Sequence, residues 1–166
     1  MNLPDRPSSP APGAVPGGRI RANAFRVLIA DDQPQNRLIL SQILARVGYD
    51  VETVNNGAEA LHRVICEPRP DLLLTDVEMP VMDGIKSVTS IRKMPEPISR
   101  IPIIAASGSP DPVLKRDMLI AGADAFLAKP VDVGELLETV GRLIRESTRR
   151  KVAELQVRSV NQASAC

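Results

Sequence analysis

Apolar residues fall into two alternating patterns along this chain. Short apolar runs at Arg26–Ala30 (RVLIA), Val51–Val54, Asp71–Thr75 (DLLLT), Ile101–Ala106 (IPIIAA) and Ala125–Ala128 have the length of strands. Between them, apolar positions recur at helical spacing. Pro34 stands where a first helical turn tolerates proline, and Ile39, Leu40, Ile43, Leu44 and Val47 then form one face that stops at Gly48. Ala58, Leu61, Val64 and Ile65 predict a second helix, closed by Pro68 and Pro70. Ile85, Val88 and Ile91 predict a third, stopped by Pro95 and Pro97. A weakly patterned helix over Pro110–Ala121 ends at Gly122, and Val133, Leu136, Leu137, Val140 and Ile144 give a clear last stripe.

Five strands alternating with five helices predict right-handed βαβ units. Continuous apolar strands predict a sheet covered on both faces. The expected fold class is α/β, a doubly wound five-stranded parallel sheet, with functional groups at the carboxyl ends of its strands. Before the first strand, residues 1–24 hold five prolines, three glycines and no apolar period, and read as a flexible tail or linker. The domain proper is expected over residues 25–146. Residues 147–166 read as a basic tail or an extension of the last helix, in which Val152 and Leu155 continue the stripe.

The strand ends carry the candidate chemistry. The first strand ends in Asp31-Asp32, the third in Asp76, the fourth in Ser107 and the fifth in Lys129-Pro130. Carboxylates brought together about 4 Å apart repel by on the order of 4 kcal/mol per pair at an effective dielectric of 20. A hard divalent cation removes that penalty, and a site with few other ligands suits Mg²⁺, which keeps several waters. A lysine and a hydroxyl on the same rim suit a tetrahedral anion such as phosphoryl. Cation and anion sites side by side serve phosphoryl transfer by positioning and charge neutralisation. Taken singly, Asp-Asp after a strand is a helix cap, Lys-Pro a loop dipeptide and Ser a turn residue. Their joint placement at four strand ends is what points to function.

Composition narrows the classes. Of 166 residues, 43% are hydrophobic, enough for one core, and no apolar run is long enough to span a bilayer. Two cysteines, Cys66 and Cys166, and one histidine, His62, exclude a disulfide scaffold, a cysteine zinc site and a Ser-His-Asp triad. His62 reads as a surface or satisfied histidine rather than a phosphotransfer histidine, and Cys66 as a small buried hydrophobe. Residues 25–146 carry 14 basic and 18 acidic side chains. An acidic body with 2% aromatics is not a nucleic-acid binder. Arg149, Arg150 and Lys151 read as a solvated helix end. A cytoplasmic protein without membrane insertion is expected.

The stretches VLIADDQPQNR, DLLLTDVEMPVMDG, IPIIAASG and GADAFLAKPVD stand together, in order, between Arg26 and Glu146. In this the chain resembles the receiver (CheY-like) domain of two-component response regulators. The resemblance implies the flavodoxin-like strand order 2-1-3-4-5, flanked by five helices. It implies that Asp76 accepts a phosphoryl group from a histidine kinase or a histidine phosphotransfer protein. Asp32 matches the direct Mg²⁺ ligand, Asp31 the ligand acting through water, and the Glu78 backbone carbonyl the third protein ligand. Ser107 matches the switch hydroxyl, Lys129 the lysine that pairs with the phosphoryl group, and Phe126 the aromatic switch position. The Lys129–Pro130 bond is expected to be cis, and Pro80 and Gly84 to shape the loop after the acceptor.

Three positions depart from the commoner family pattern. Glu78 adds a carboxylate two residues after the acceptor, Ser107-Gly108 replaces Thr-Ala, and Phe126 lacks a hydroxyl. The resemblance implies a signalling module, not an enzyme, that promotes its own phosphorylation and dephosphorylation. It would switch a face over Pro110–Arg145 toward an unknown downstream protein, with a phosphorylation-dependent dimer left open. The twenty residues after the last receiver helix are too few for an output domain, so a regulator acting by protein contact and a receiver from a larger hybrid kinase both remain open. A Mg²⁺-dependent phosphohydrolase would need a second carboxylate two residues after Asp31, where Gln33 stands. A phosphate-independent scaffold would have no use for Asp31, Asp32, Asp76, Ser107 and Lys129 together.

Overall fold

The computed structural model describes residues 25–109 and 111–163. The expected linker over residues 1–24, Pro110 and the last three residues lie outside them. The elements run β1 (Arg26–Ala30), α1 (Pro34–Arg46), β2 (Asp50–Val54), α2 (Gly57–Ile65), β3 (Leu72–Asp76), α3 (Gly84–Arg92), a 3₁₀ turn (Ile98–Arg100), β4 (Ile103–Ser107), α4 (Pro112–Ala121), β5 (Ala125–Ala128) and α5 (Val133–Ala163). All strand pairs are parallel, in the order β2-β1-β3-β4-β5.

Two cores flank the sheet because successive side chains on a strand point to opposite faces. Leu28, Ala30, Leu73, Ile103 and Ala105 face α2, α3 and α4, meeting Ala60, Val64, Val88, Ile91 and Met118. Val27, Ile29, Leu72, Leu74 and Ile104 face α1 and α5, meeting Leu40, Leu44, Leu136, Val140 and Ile144. The central strands are therefore buried on both sides, which is why they read as unbroken apolar runs.

Local chemistry sets the boundaries. Gly48 (φ 100°) and Gly122 (φ 112°) adopt the left-handed backbone that ends α1 and α4. Asn56, Asp83 and Asp111 cap α2, α3 and α4 by accepting from the N–H groups of Glu59, Lys86 and Val113. Strand β4 starts two residues later than the sequence predicts. The Ile101 N–H bonds the Ile98 carbonyl of the 3₁₀ turn, and Pro102 has no N–H to offer. Strand β3 is Leu72–Asp76, one residue on from DLLLT; the Asp71 N–H bonds the Arg26 carbonyl at 2.7 Å, and the Asp71 carboxylate accepts from the Arg26 N–H at 3.0 Å.

Two expectations about helices need correction. Only Leu40 and Leu44 of α1 are buried, whereas Leu38, Ile39 and Val47 face solvent. α1 carries more apolar positions than its contact with the sheet covers. Helix α5 runs unbroken to Ala163, well beyond its last core residues. Arg149, Arg150 and Lys151 thus lie within a helix rather than at its end. Lys151 pairs with Asp71 at 3.4 Å, and Arg100 of the 3₁₀ turn pairs with Glu154. These contacts hold the extension against the rim opposite the strand carboxyl ends.

Candidate phosphoacceptor site

Parallel strands in register deliver Asp31, Asp76, Ser107 and Lys129 to one rim. Thr75 pairs with Ala30, Asp76 with Ala106, and Ser107 with Ala128. Asp31 and Asp76 are buried, as is Ser107, while Asp32 is exposed. One carboxylate oxygen from each of Asp31, Asp32 and Asp76 lies within 4.8 Å of the others. This all-oxygen donor set, half open to solvent, fits a hard divalent cation with water in its remaining positions.

Lys129 joins the two buried acids. Its Nζ donates to Asp31 Oδ2 at 2.7 Å and to Asp76 Oδ2 at 2.7 Å. Burial works against the charge on Lys129, but the hydrogen bonds to Asp31 and Asp76 outweigh it and raise its pKa. Burial also pushes the Asp76 carboxyl up, and the Asp31 charge adds to this; Lys129 opposes both without cancelling them. The two directions are compatible, because one ammonium is shared between two carboxylates and a negative charge is left over.

The backbone around Asp76 is fixed from several sides. The Thr75 hydroxyl donates to the Asp76 carbonyl at 3.0 Å, and the Val77 N–H continues the ladder to the Ala106 carbonyl. The Glu78 N–H lies 3.4 Å from Asp76 Oδ1, and the Glu78 side chain points out to solvent. Gly84 packs on the Asp76 backbone so closely that a Cβ there would collide with it. Between them, the Met82 N–H bonds the Pro80 carbonyl at 2.7 Å around Val81, whose φ is 68°. This γ-turn is rare for a β-branched residue.

On the far side of the rim, the Ser107 hydroxyl accepts from the Ser109 N–H at 3.0 Å, and the Lys129 N–H bonds the Ser107 carbonyl at 2.8 Å. A Cβ added at Gly108 would meet nothing within 4 Å, so this position faces open space. The Lys129–Pro130 bond is cis, as the resemblance implies, and so are Glu67–Pro68 and Glu96–Pro97. Phe126 is half-buried against the core, with the Lys115 ammonium 5.9 Å from its ring centroid.

Sequence reasoning missed the residues that hold Asp31. The Gln33 N–H donates to Asp31 Oδ1 at 2.8 Å, the Asn36 amide reaches both Asp31 oxygens, and Arg37 Nη1 donates to the Asp31 carbonyl at 2.6 Å. The usable signal was their place on the first turn of a helix that starts two residues after an acidic pair. His62 is exposed, as expected; Cys66 is only partly buried, with Sγ 3.9 Å from His62 Nε2.

Comparison with known proteins agrees with this geometry. The family model described as the response regulator receiver domain matches residues 27–141. The chain belongs to that family, and is thus a receiver domain of two-component systems. It is 36% identical over 126 residues to the sensory/regulatory protein RpfC of Xanthomonas campestris, covering 75% of this chain and 17% of that protein. It is 39% identical over 120 residues to the transcriptional regulatory protein PrrA of Mycobacterium leprae, covering 72% of this chain and 50% of that protein. The chain thus spans half or less of the length of these relatives.

Among solved structures, the chemotaxis response regulator CheY4 of Vibrio cholerae matches with a TM-score of 0.66 at 33% identity, over 73% of this chain and 99% of that one. The receiver domain of sensor histidine kinase PA1611 from Pseudomonas aeruginosa matches with a TM-score of 0.68 at 31% identity, over 74% and 98%; it holds a magnesium ion in its active-site cleft. Among the described residues of the present chain, no helix is long and apolar enough to cross a membrane.

Proposed function

We propose that this receiver domain accepts a phosphoryl group on Asp76 from the phosphohistidine of a histidine kinase or histidine phosphotransfer protein, and that the modification switches a protein-interaction surface. The observation that carries this reading is the Lys129 bridge between two buried carboxylates on the rim where Ser107 also lies. The Asp76 carboxylate oxygen bonds to phosphorus as the phosphorus–nitrogen bond of the donor breaks, and the bonding pair leaves on the imidazole. Water later cleaves the acyl phosphate, returning the carboxylate and inorganic phosphate. The chain promotes both steps in itself and turns over no separate substrate.

Asp32 and Asp76, with the Glu78 carbonyl, would hold Mg²⁺ directly and Asp31 would act through water; the ion supplies charge neutralisation between the carboxylates and the incoming anion. Lys129 pairs with the phosphoryl oxygens, and Ser107 donates its hydroxyl to one of them. Ser107 then gives up its contact with Ser109, and Phe126 turns inward away from Lys115. The output face is α4, β5 and the first part of α5, where Leu119 and Ile120 are exposed. Phosphorylation-dependent pairing of two chains through that face belongs to the same reading.

Exposed Leu38 and Ile39 on α1 offer a helical donor an apolar foothold on the Asp32 side of the rim. The matches to sensor histidine kinases such as TmoS and GacS favour a hybrid kinase as the natural setting of this domain, with the domain spanning residues 25–146 between a linker and the α5 extension. Cytoplasmic placement follows, because the donor kinases use ATP. The test is incubation with acetyl phosphate. A label that forms only with Mg²⁺ and not in chelator, and that hydroxylamine, acid and alkali each release, supports the reading; no label with Mg²⁺ present overturns it.

A further inference from the structure

The Asp31 carboxylate is saturated by internal donors. Oδ1 accepts from the Gln33 N–H at 2.8 Å and from Asn36 Nδ2 at 3.2 Å. Oδ2 accepts from Asn36 Nδ2 at 3.1 Å and from Lys129 Nζ at 2.7 Å. A carboxylate offers about four lone-pair sites, and these four contacts engage them. The Asn36 orientation is dictated by chemistry, because its amide oxygen turned toward Asp31 would set acceptor against acceptor. Asn36 and Lys129 therefore share one oxygen of a carboxylate that is only 2% exposed.

That sharing matters once Lys129 is needed elsewhere. Pairing with a phosphoryl group on Asp76 draws the ammonium away from Asp31 Oδ2. A buried carboxylate that loses its cation without a substitute donor pulls that cation back. Asn36 already donates to Oδ2 and keeps that oxygen hydrogen-bonded once the ammonium leaves, and it brings no charge that would compete for the phosphoryl group. We propose that Asn36 is a positioning residue that releases Lys129 from Asp31, so that Lys129 is free to pair with the phosphoryl group. This rests on the proposed phosphorylation of Asp76. It assigns to Asn36 an effect on the phosphorylated state that its effect on metal binding does not share.

The test compares native chain, Asn36→Leu and Asn36→Asp by amide NMR, titrating Mg²⁺ alone and then beryllofluoride, a phosphoryl mimic, at saturating Mg²⁺. Thermal melting checks that each variant is folded. Asn36→Leu is expected to weaken beryllofluoride binding about tenfold, the equivalent of about 1.4 kcal/mol, with Mg²⁺ affinity within about twofold of native. Asn36→Asp is expected to split the two in opposite directions. Its added carboxylate tightens Mg²⁺ binding, while its repulsion of Asp31 holds Lys129 back and weakens beryllofluoride binding beyond the Leu variant. Equal beryllofluoride affinity in native and Leu chains overturns the role of Asn36 and leaves the phosphoacceptor reading intact. Parallel loss of both ligands assigns Asn36 to the metal site or to the fold instead and also overturns it. Failure of the native chain to bind beryllofluoride with Mg²⁺ present counts against Asp76 as acceptor and takes this proposal with it.

Discussion

The Lys129 ammonium lies 2.7 Å from the Asp76 carboxylate and ties the end of β5 to the end of β3 across the intervening β4. Both partners are largely buried, with 17% and 6% of their side chains exposed. Removing one partner of such a pair leaves an uncompensated buried charge. Lys129→Met keeps the aliphatic stem and deletes the charge. It is expected to destabilise the metal-free chain by on the order of 3 kcal/mol at neutral pH. Denaturant melts with and without Mg²⁺ check this, and Mg²⁺ should restore more stability to the variant than to the native chain.

Asp76→Asn should act in the opposite direction on the metal-free fold. Burial raises the Asp76 pKa above its unfolded value, so in that window the folded state binds the proton more tightly than the unfolded state. Stability from this group therefore falls as pH rises from the ordinary carboxylate range through the raised value. The amide cannot ionise and escapes that loss. In chelator at neutral pH, Asp76→Asn is expected to melt higher than the native chain, with the difference shrinking toward acid pH. A lower melting temperature at neutral pH would contradict the charge balance described for Asp31, Asp76 and Lys129.

Gly108 follows the switch hydroxyl in open space, and its backbone is not left-handed. Gly108→Ala should therefore be accepted without a clash and stabilise the chain by about 0.4–1 kcal/mol through the unfolded state. It should also sharpen the response to beryllofluoride, because fewer loop conformations compete with the one that brings Ser107 to the phosphoryl group. Relaxation-dispersion NMR of the loop after β4 reads the change; exchange unaltered by the alanine would count against a loose switch.

The extension of α5 is held by the Lys151–Asp71 and Arg100–Glu154 pairs, all exposed or nearly so. Such pairs contribute about 0–1 kcal/mol each. Glu154→Gln is expected to leave global stability within about 0.5 kcal/mol of native. It should speed amide exchange beyond Ser147, and high salt should do the same to the native chain. Exchange over 152–159 as slow as over 136–144 in the variant would show that the extension is held by something other than these pairs.

Sheet and acceptor rim were legible because each rests on a local signal. RVLIA, DLLLT and IPIIAA are buried on both faces, so their unbroken apolar runs mark them, and a polar residue ending such a run marks the rim. The exposed faces of α1 and α5 had no such signal. Leu38, Ile39, Leu40, Ile43 and Leu44 cover more of the helix surface than the sheet contacts, and only packing decides that Leu40 and Leu44 go inside. Beyond Ile144 the apolar stripe thins, but Arg, Lys, Glu, Ala and Gln favour helix without a core to pack on. Asn36 escaped notice because an asparagine on a first turn is unremarkable until the fold shows that it faces Asp31.

Identification of the phosphorylated residue tests the central claim most directly. The native chain and Asp76→Asn are incubated with acetyl phosphate and Mg²⁺, reduced with borohydride to convert any acyl phosphate to an alcohol, and digested for mass mapping. The account predicts one modified residue, Asp76, in the native chain and none in the variant. Modification of Asp31, Asp32 or Glu78 in the native chain, or undiminished labelling of the variant, would contradict it.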